Sequence, residues 1–98
     1  MKAYKHLIKH AINDLGYTVS VFDGEEWPVK RSTIQRDIYA AIDSVEESQL
    51  RFRDKEGKYV GWALIIDYAD EPENSVVDFS SNEWMNNWFD NLYPQAIS

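Results

Sequence analysis

Cysteine is absent from this chain of 98 residues, so no disulfide staples the fold, and thiolate nucleophiles and cysteine metal sites are excluded. Glycine is scarce as well. The four glycines, Gly16, Gly24, Gly57 and Gly61, each stand alone, which excludes a glycine-rich phosphate cradle. No long apolar run occurs near the start, where Lys9, His10 and Asp14 interrupt the hydrophobic pattern. A reducing, cytoplasmic location with no membrane contact is therefore the expectation. The last absence is positive charge. Residues 63 to 98 contain no lysine or arginine, yet they hold Asp67, Asp70, Glu71, Glu73, Asp78, Glu83 and Asp90. The first 62 residues carry ten bases and ten acids, so the whole net charge of −7 lies in the final third. Such a distribution favours a basic partner and argues against direct nucleic-acid binding at that end, while acidity alone also serves solubility.

What is present points to one domain spanning residues 1–98, since a chain of this length fills one modest core. Tyr4, Leu7, Ile8, Ala11, Ile12 and Leu15 recur at helical spacing, and Gly16 supplies a left-handed stop. Tyr17 to Phe22 predicts a strand with Val19 and Val21 on one side, and Asp23-Gly24 predicts a tight turn into a second strand from Trp27 to Arg31. Pro28 cannot donate to a ladder, which assigns that strand to a sheet edge.

Ser32 with Gln35 has the spacing of a capping box, opening a helix from Thr33 to Val45 with Ile34, Ile38, Ala41, Ile42 and Val45 on one face. Leu50 and Phe52 alternate with Arg51 and Arg53 as a third strand, and residues 54–57 turn the chain. Tyr59 to Tyr68 is apolar at both parities, so it reads as a central strand covered on both sides, with Leu64 and Ile66 in the core. The polar loop 70–74 leads to a short strand, Val76 to Phe79. Ser80 with Glu83 is a second capping-box pattern, before a helix carrying Trp84, Met85, Trp88, Phe89 and Leu92 until Pro94. The expected class is α+β, a largely antiparallel sheet of about five strands with three helices in the order α-β-β-α-β-β-β-α.

No pattern of catalysis emerges. His6 and His10 have the i, i+4 spacing that can hold a metal, but no third ligand is near and Lys5 and Lys9 flank them, so they read as two exposed helix histidines. The carboxylate pairs Glu25-Glu26, Glu46-Glu47 and Asp70-Glu71 fall in turns or helix ends, where solvated charge is ordinary. No cofactor and no metal are expected, and the chain reads as non-enzymatic. Lys30, Arg31, Arg51 and Arg53 can form a basic stripe on neighbouring strands, with Trp27 or Tyr59 beside it. The plainer expectation is that they pair with Glu25, Glu26, Asp54 and Glu56.

The runs Asp23-Gly24-Glu25-Glu26-Trp27-Pro28-Val29-Lys30-Arg31-Ser32, Ser44-Val45-Glu46-Glu47, Arg53-Asp54 and Gly61-Trp62-Ala63-Leu64, with an acidic tail containing Trp88, give the chain its character. It resembles a group of short accessory proteins of tailed bacteriophages. That resemblance implies a dispensable protein acting in the cytoplasm of an infected bacterium, where many such proteins inhibit host factors and some are acidic DNA mimics.

Two functional readings follow. The first is a non-enzymatic inhibitor that binds a basic host protein through Asp67, Asp70, Glu71, Glu73, Asp78, Glu83 and Asp90, as a nucleic-acid mimic, with Trp84 or Trp88 as an apolar anchor. The second is a small-molecule or nucleotide binder, such as a sponge for a signalling nucleotide. In it Trp27, Tyr59 or Trp62 stacks on a base while Lys30, Arg51 or Arg53 meets phosphate. Self-association as a homo-oligomer is a third. A continuous acidic face favours the first; a basic, aromatic-lined pocket favours the second.

Overall fold

The computed structural model describes residues 2–66 and 75–93. Helix α1 spans Ala3–Lys9 and runs on into a wider π-turn, His10–Asp14. Strands β1 (Thr18–Phe22) and β2 (Val29–Ser32) precede helix α2 (Gln35–Asp43). Strands β3 (Glu47–Arg53), β4 (Tyr59–Ile66) and β5 (Val76–Phe79) follow, and helix α3 (Glu83–Asn87) continues into a second π-turn, Trp88–Leu92. The sheet is antiparallel throughout, in the order β2-β1-β3-β4-β5. Both the α+β class and the element order match the sequence expectation. No helix among the described residues is long and apolar enough to cross a membrane.

The two faces of the sheet differ in kind. Register places Val19, Phe52 and Gly61 in one row and Val21, Leu50 and Ala63 in the next, with Ser48 opposite Ile65. These apolar residues are fully buried and share one cluster with Tyr4, Leu7, Ile8 and Ala11 of the first helix, Ile38 and Ile42 of α2, and Met85 and Trp88 of the last. All three helices therefore cover one face. The other face carries Ser20, Phe22, Gln49, Arg51, Arg53, Trp62, Leu64 and Ile66, which no helix of the described residues covers.

That asymmetry corrects the reading of β4. The strand lies next to the edge strand β5, the centre being β3, and its burial alternates strictly. Gly61, Ala63 and Ile65 face the core, whereas Leu64 and Ile66 are half-buried on the open face. A bulge at Val60, between the pairs Phe52–Gly61 and Arg53–Tyr59, sets this phase. Both capping boxes are also absent. Helix α2 starts after Ile34, whose N–H is taken by Ser32 Oγ, while Gln35 reaches Asn13. Ser80 Oγ accepts the Trp62 N–H instead of capping α3, which starts after Asn82. The Asp23-Gly24 signal belongs to a longer loop over residues 23–28, closed by Asp23 N–H to Glu26 O and by two N–H groups on Asp23 Oδ1. Pro28 does precede an edge strand, and Gly16, at φ 73°, does end the first helix.

The histidines are structural. Trp88 donates its indole N–H to His6 Nδ1 at 2.8 Å, and His10 Nδ1 lies 2.7 Å from Asp14 Oδ2. Neither is the exposed helix histidine expected, since both are half-buried. A proton on His6 Nδ1 would abolish the bond to Trp88. Burial, reinforced by His10 and Lys9, holds the His6 pKa below the ordinary 6.5. In the unfolded chain His6 takes up its proton near 6.5, earlier than in the folded one, so its contribution is full above that value and is lost as pH falls through the lowered folded pKa. A His6→Gln variant can still accept the indole N–H but cannot titrate. Urea midpoints taken between about pH 7.5 and about pH 5 should fall further in the native chain than in this variant; parallel profiles would refute the linkage.

Candidate functional site

The open face holds a cleft of about 220 Å³ lined by Ser20, Trp27, Lys30, Arg31, Arg51 and Arg53. Its construction begins at a backbone irregularity. Val19 pairs with Ser32 and Val21 with Val29, so Lys30 and Arg31 together stand opposite Ser20 alone. In a regular strand two consecutive side chains point to opposite faces, but a bulge re-aims one of them. Both therefore line the same cleft. Arg31 adopts φ 48°, a left-handed value otherwise held only by glycines among the described residues, and its N–H donates to Ser20 Oγ at 2.8 Å.

The neighbouring strand completes the cluster. Arg51 stands directly across from Ser20, and Arg53 from Thr18. Arg53 is half-buried and anchored by Nη1 donating to Gly57 O at 3.0 Å. Trp27, in the 23–28 loop, folds over the face so that its ring lies 4.9 Å from Phe22 and 5.1 Å from the Arg51 guanidinium. Stacking of this kind holds a guanidinium in one plane while leaving its N–H fork free to bond. On the other side of Arg51 its register partner is Trp62.

Four cations thus line one cleft, and among the described residues no acid does. The expected pairing with Glu25, Glu26, Asp54 and Glu56 does not form. Among the described residues the ion pairs are Lys2–Asp43, His10–Asp14 and Arg36–Asp37. The local acids have other work: Asp23 Oδ1 accepts the N–H groups of Glu25 and Glu26, and Asp54 Oδ1 those of Glu56 and Lys58. Those bonds, Glu26 foremost, hold the Asp23 carboxyl below its ordinary pKa. Concentrated positive charge inside a chain of net −7 is a local preference for an anion.

Of the residues singled out from sequence, Trp27, Lys30, Arg51 and Arg53 come together, and Trp62 lies beside them. Ser20 was not signalled, because its role depends on the bulge facing it. Tyr59 is exposed and lines a different cleft. Three of the acidic set fall within the described residues. Asp78 stands across from Leu64, Glu83 opens α3, and Asp90 lies in the second π-turn. Asp67, Asp70, Glu71 and Glu73 lie outside the described residues. Trp88 is fully buried and cannot serve as an exposed anchor, and Trp84 is half-buried with its indole N–H on Val60 O at 2.9 Å.

Arg31 offers a separable prediction. A left-handed non-glycine residue costs about 1–2 kcal/mol, and glycine gives back about 0.5–1 kcal/mol through its unfolded-state freedom. Arg31→Gly should therefore match or exceed the native chain in urea stability while binding anions less tightly. Destabilisation by more than about 1 kcal/mol would show that the Arg31 side chain is structural instead. No family model, curated protein or solved structure matches this chain.

Proposed function

We propose that this protein binds a phosphate-bearing ligand of the nucleotide class, with its phosphate in the cleft formed by Lys30, Arg31, Arg51 and Arg53. The observation that carries this reading is the convergence of four cations, none of them in an ion pair among the described residues, beside the ring of Trp27. Guanidinium groups match phosphate oxygens with paired N–H donors, and a stacked arginine has less freedom to lose on binding.

The cleft volume narrows the ligand. At about 220 Å³ it is smaller than the roughly 300–1,000 Å³ typical of sites that enclose a whole drug-sized molecule. It suits a phosphoryl group, with the rest of the ligand lying across the open face. Half-buried Trp62, next to Arg51, is placed to stack on a base there. Within the resemblance to phage accessory proteins, such a binder would sequester a host nucleotide.

Thermal unfolding with a panel of inorganic phosphate, nucleosides, nucleotides and a short single-stranded oligonucleotide tests the proposal. A ligand at a hundred times its Kd stabilises the folded state by about 2.7 kcal/mol. Nucleotides should raise the Tm, matched nucleosides should not, and the gain should shrink with salt. Equal response to nucleoside and nucleotide would contradict a phosphate site. A response to the oligonucleotide alone would move the reading to single-stranded nucleic acid.

A further inference from the structure

A second and larger cleft, of about 710 Å³, opens between the start of β4 and the start of α3. Its character is the reverse of the first. Three aromatic residues, Tyr17, Tyr59 and Trp84, contribute to its wall; among the described residues Glu83 is the single charged one lining it, and no cation does. Trp84 is fixed from three directions. Tyr17 meets it edge-on at 5.2 Å, Phe52 does so at 5.0 Å, and its indole N–H bonds Val60 O. At Gly61 a Cβ would come within 2.9 Å of Ser80 Oγ and 3.2 Å of Asn82 Nδ2, so the missing side chain leaves room for these two residues of the floor.

Polar groups in the floor are already committed. Asn82 and Trp84 both donate to the carbonyl of Val60, which the β4 bulge leaves accessible, and Ser80 Oγ accepts the Trp62 N–H. Toward solvent the cleft presents aromatic surface, Asn87, whose Oδ1 accepts from Asn91, and the exposed carboxylate of Glu83, which has no hydrogen bond or ion pair among the described residues. Ring faces carry negative partial charge and attract cations, a guanidinium above all because it can stack flat on a ring while its N–H fork meets a carboxylate. Glu83 also belongs to the stretch that carries the whole net negative charge of the chain.

We infer that this cleft receives an arginine side chain presented by a protein partner, with the guanidinium against Tyr59 and Trp84 and its N–H groups toward Glu83. The inference is independent of the phosphate cleft, which shares none of its lining residues. It also supplies a concrete locus for the attraction to a basic partner that the acidic final third suggests.

The experiment is a titration of the full chain with a capped Gly-Arg-Gly peptide, followed by the Gly61 amide and Trp84 indole N–H resonances. Capped peptides with citrulline or lysine in place of arginine are the comparators. Citrulline keeps the shape of arginine without its charge. The expected result is saturable movement of both resonances with the arginine peptide and none with citrulline. Glu83→Gln and Tyr59→Ala, both at exposed positions, should each weaken the arginine peptide about three- to fivefold while keeping native spectra. Absence of movement, equal movement with citrulline, or equal affinity for the lysine peptide would each overturn the assignment.

Discussion

Replacing Trp88 with alanine should remove about 3–5 kcal/mol of stability, a large part of the roughly 5–15 kcal/mol available to a domain of this size. Trp88 is fully buried, stacks on Tyr93 with ring centres 5.0 Å apart, and sits in the cluster that joins the first and last helices to the sheet. The alanine leaves a large cavity and also strips His6 Nδ1 of its donor. Trp88→Phe keeps most of the volume but not the N–H, so it should cost less, about 1–2 kcal/mol. Urea denaturation of the two variants separates packing from the hydrogen bond. Equal losses for both would mean that the bond, and not the volume, dominates.

The largest functional effect is expected from reversing Lys30 and Arg51 together to glutamate. Each charge-assisted hydrogen bond to a phosphate is worth about 1.5–3 kcal/mol, so loss of two should weaken nucleotide binding by at least about a hundredfold, before any repulsion is counted. Both residues are exposed. Stability should therefore change little beyond the stacking of Arg51 on Trp27, about 0.5–1 kcal/mol. The matching reversal of Asp78 and Asp90 to lysine should leave nucleotide affinity within a few-fold, because neither lines the cleft. Calorimetric titration of both variants decides between the two charge populations. If the aspartate change abolished binding and the Lys30/Arg51 change did nothing, the acidic-surface reading would take precedence.

Much of the fold could be read from the chain because its signals were local. The stripe Tyr4, Leu7, Ile8 and Ala11 has one solution as a helix face, and Val19 and Val21 one solution as a strand face. Pro28 could only sit where a missing N–H does no harm. The phase of β4 was not legible for the opposite reason. Val60 to Ile66 is apolar at both parities, so alternation could not choose between Leu64–Ile66 and Ala63–Ile65. Pairing with β3 and the bulge at Val60 made that choice, and both are tertiary facts. Ser32 and Ser80 show the same limit on a smaller scale. A serine three residues before glutamine or glutamate fits a capping box, but each hydroxyl found a different backbone N–H once the chain was folded.

The candidate site was half legible. Basic and aromatic residue types on adjacent strands suggested Trp27, Lys30, Arg51 and Arg53 as a group. Their convergence, however, needs the bulge that turns Lys30 and Arg31 to one face and the loop that lays Trp27 over Arg51. Neither device has a sequence signature of its own. The acids expected to neutralise the group, Glu25, Glu26, Asp54 and Glu56, are close in sequence, but none pairs with it among the described residues, and Asp54 serves turn N–H groups instead.

The central claim is that the Lys30–Arg31–Arg51–Arg53 cleft is where a phosphate-bearing ligand sits, and the most direct test is amide and indole shift mapping during titration with a nucleotide. The predicted result is saturable movement concentrated at Ser20, Arg31, Arg51, Arg53 and the Trp27 indole, diminishing with added salt and absent with the matched nucleoside. Movement confined to Asp78, Glu83 and Asp90, or no movement at any nucleotide concentration, would contradict it.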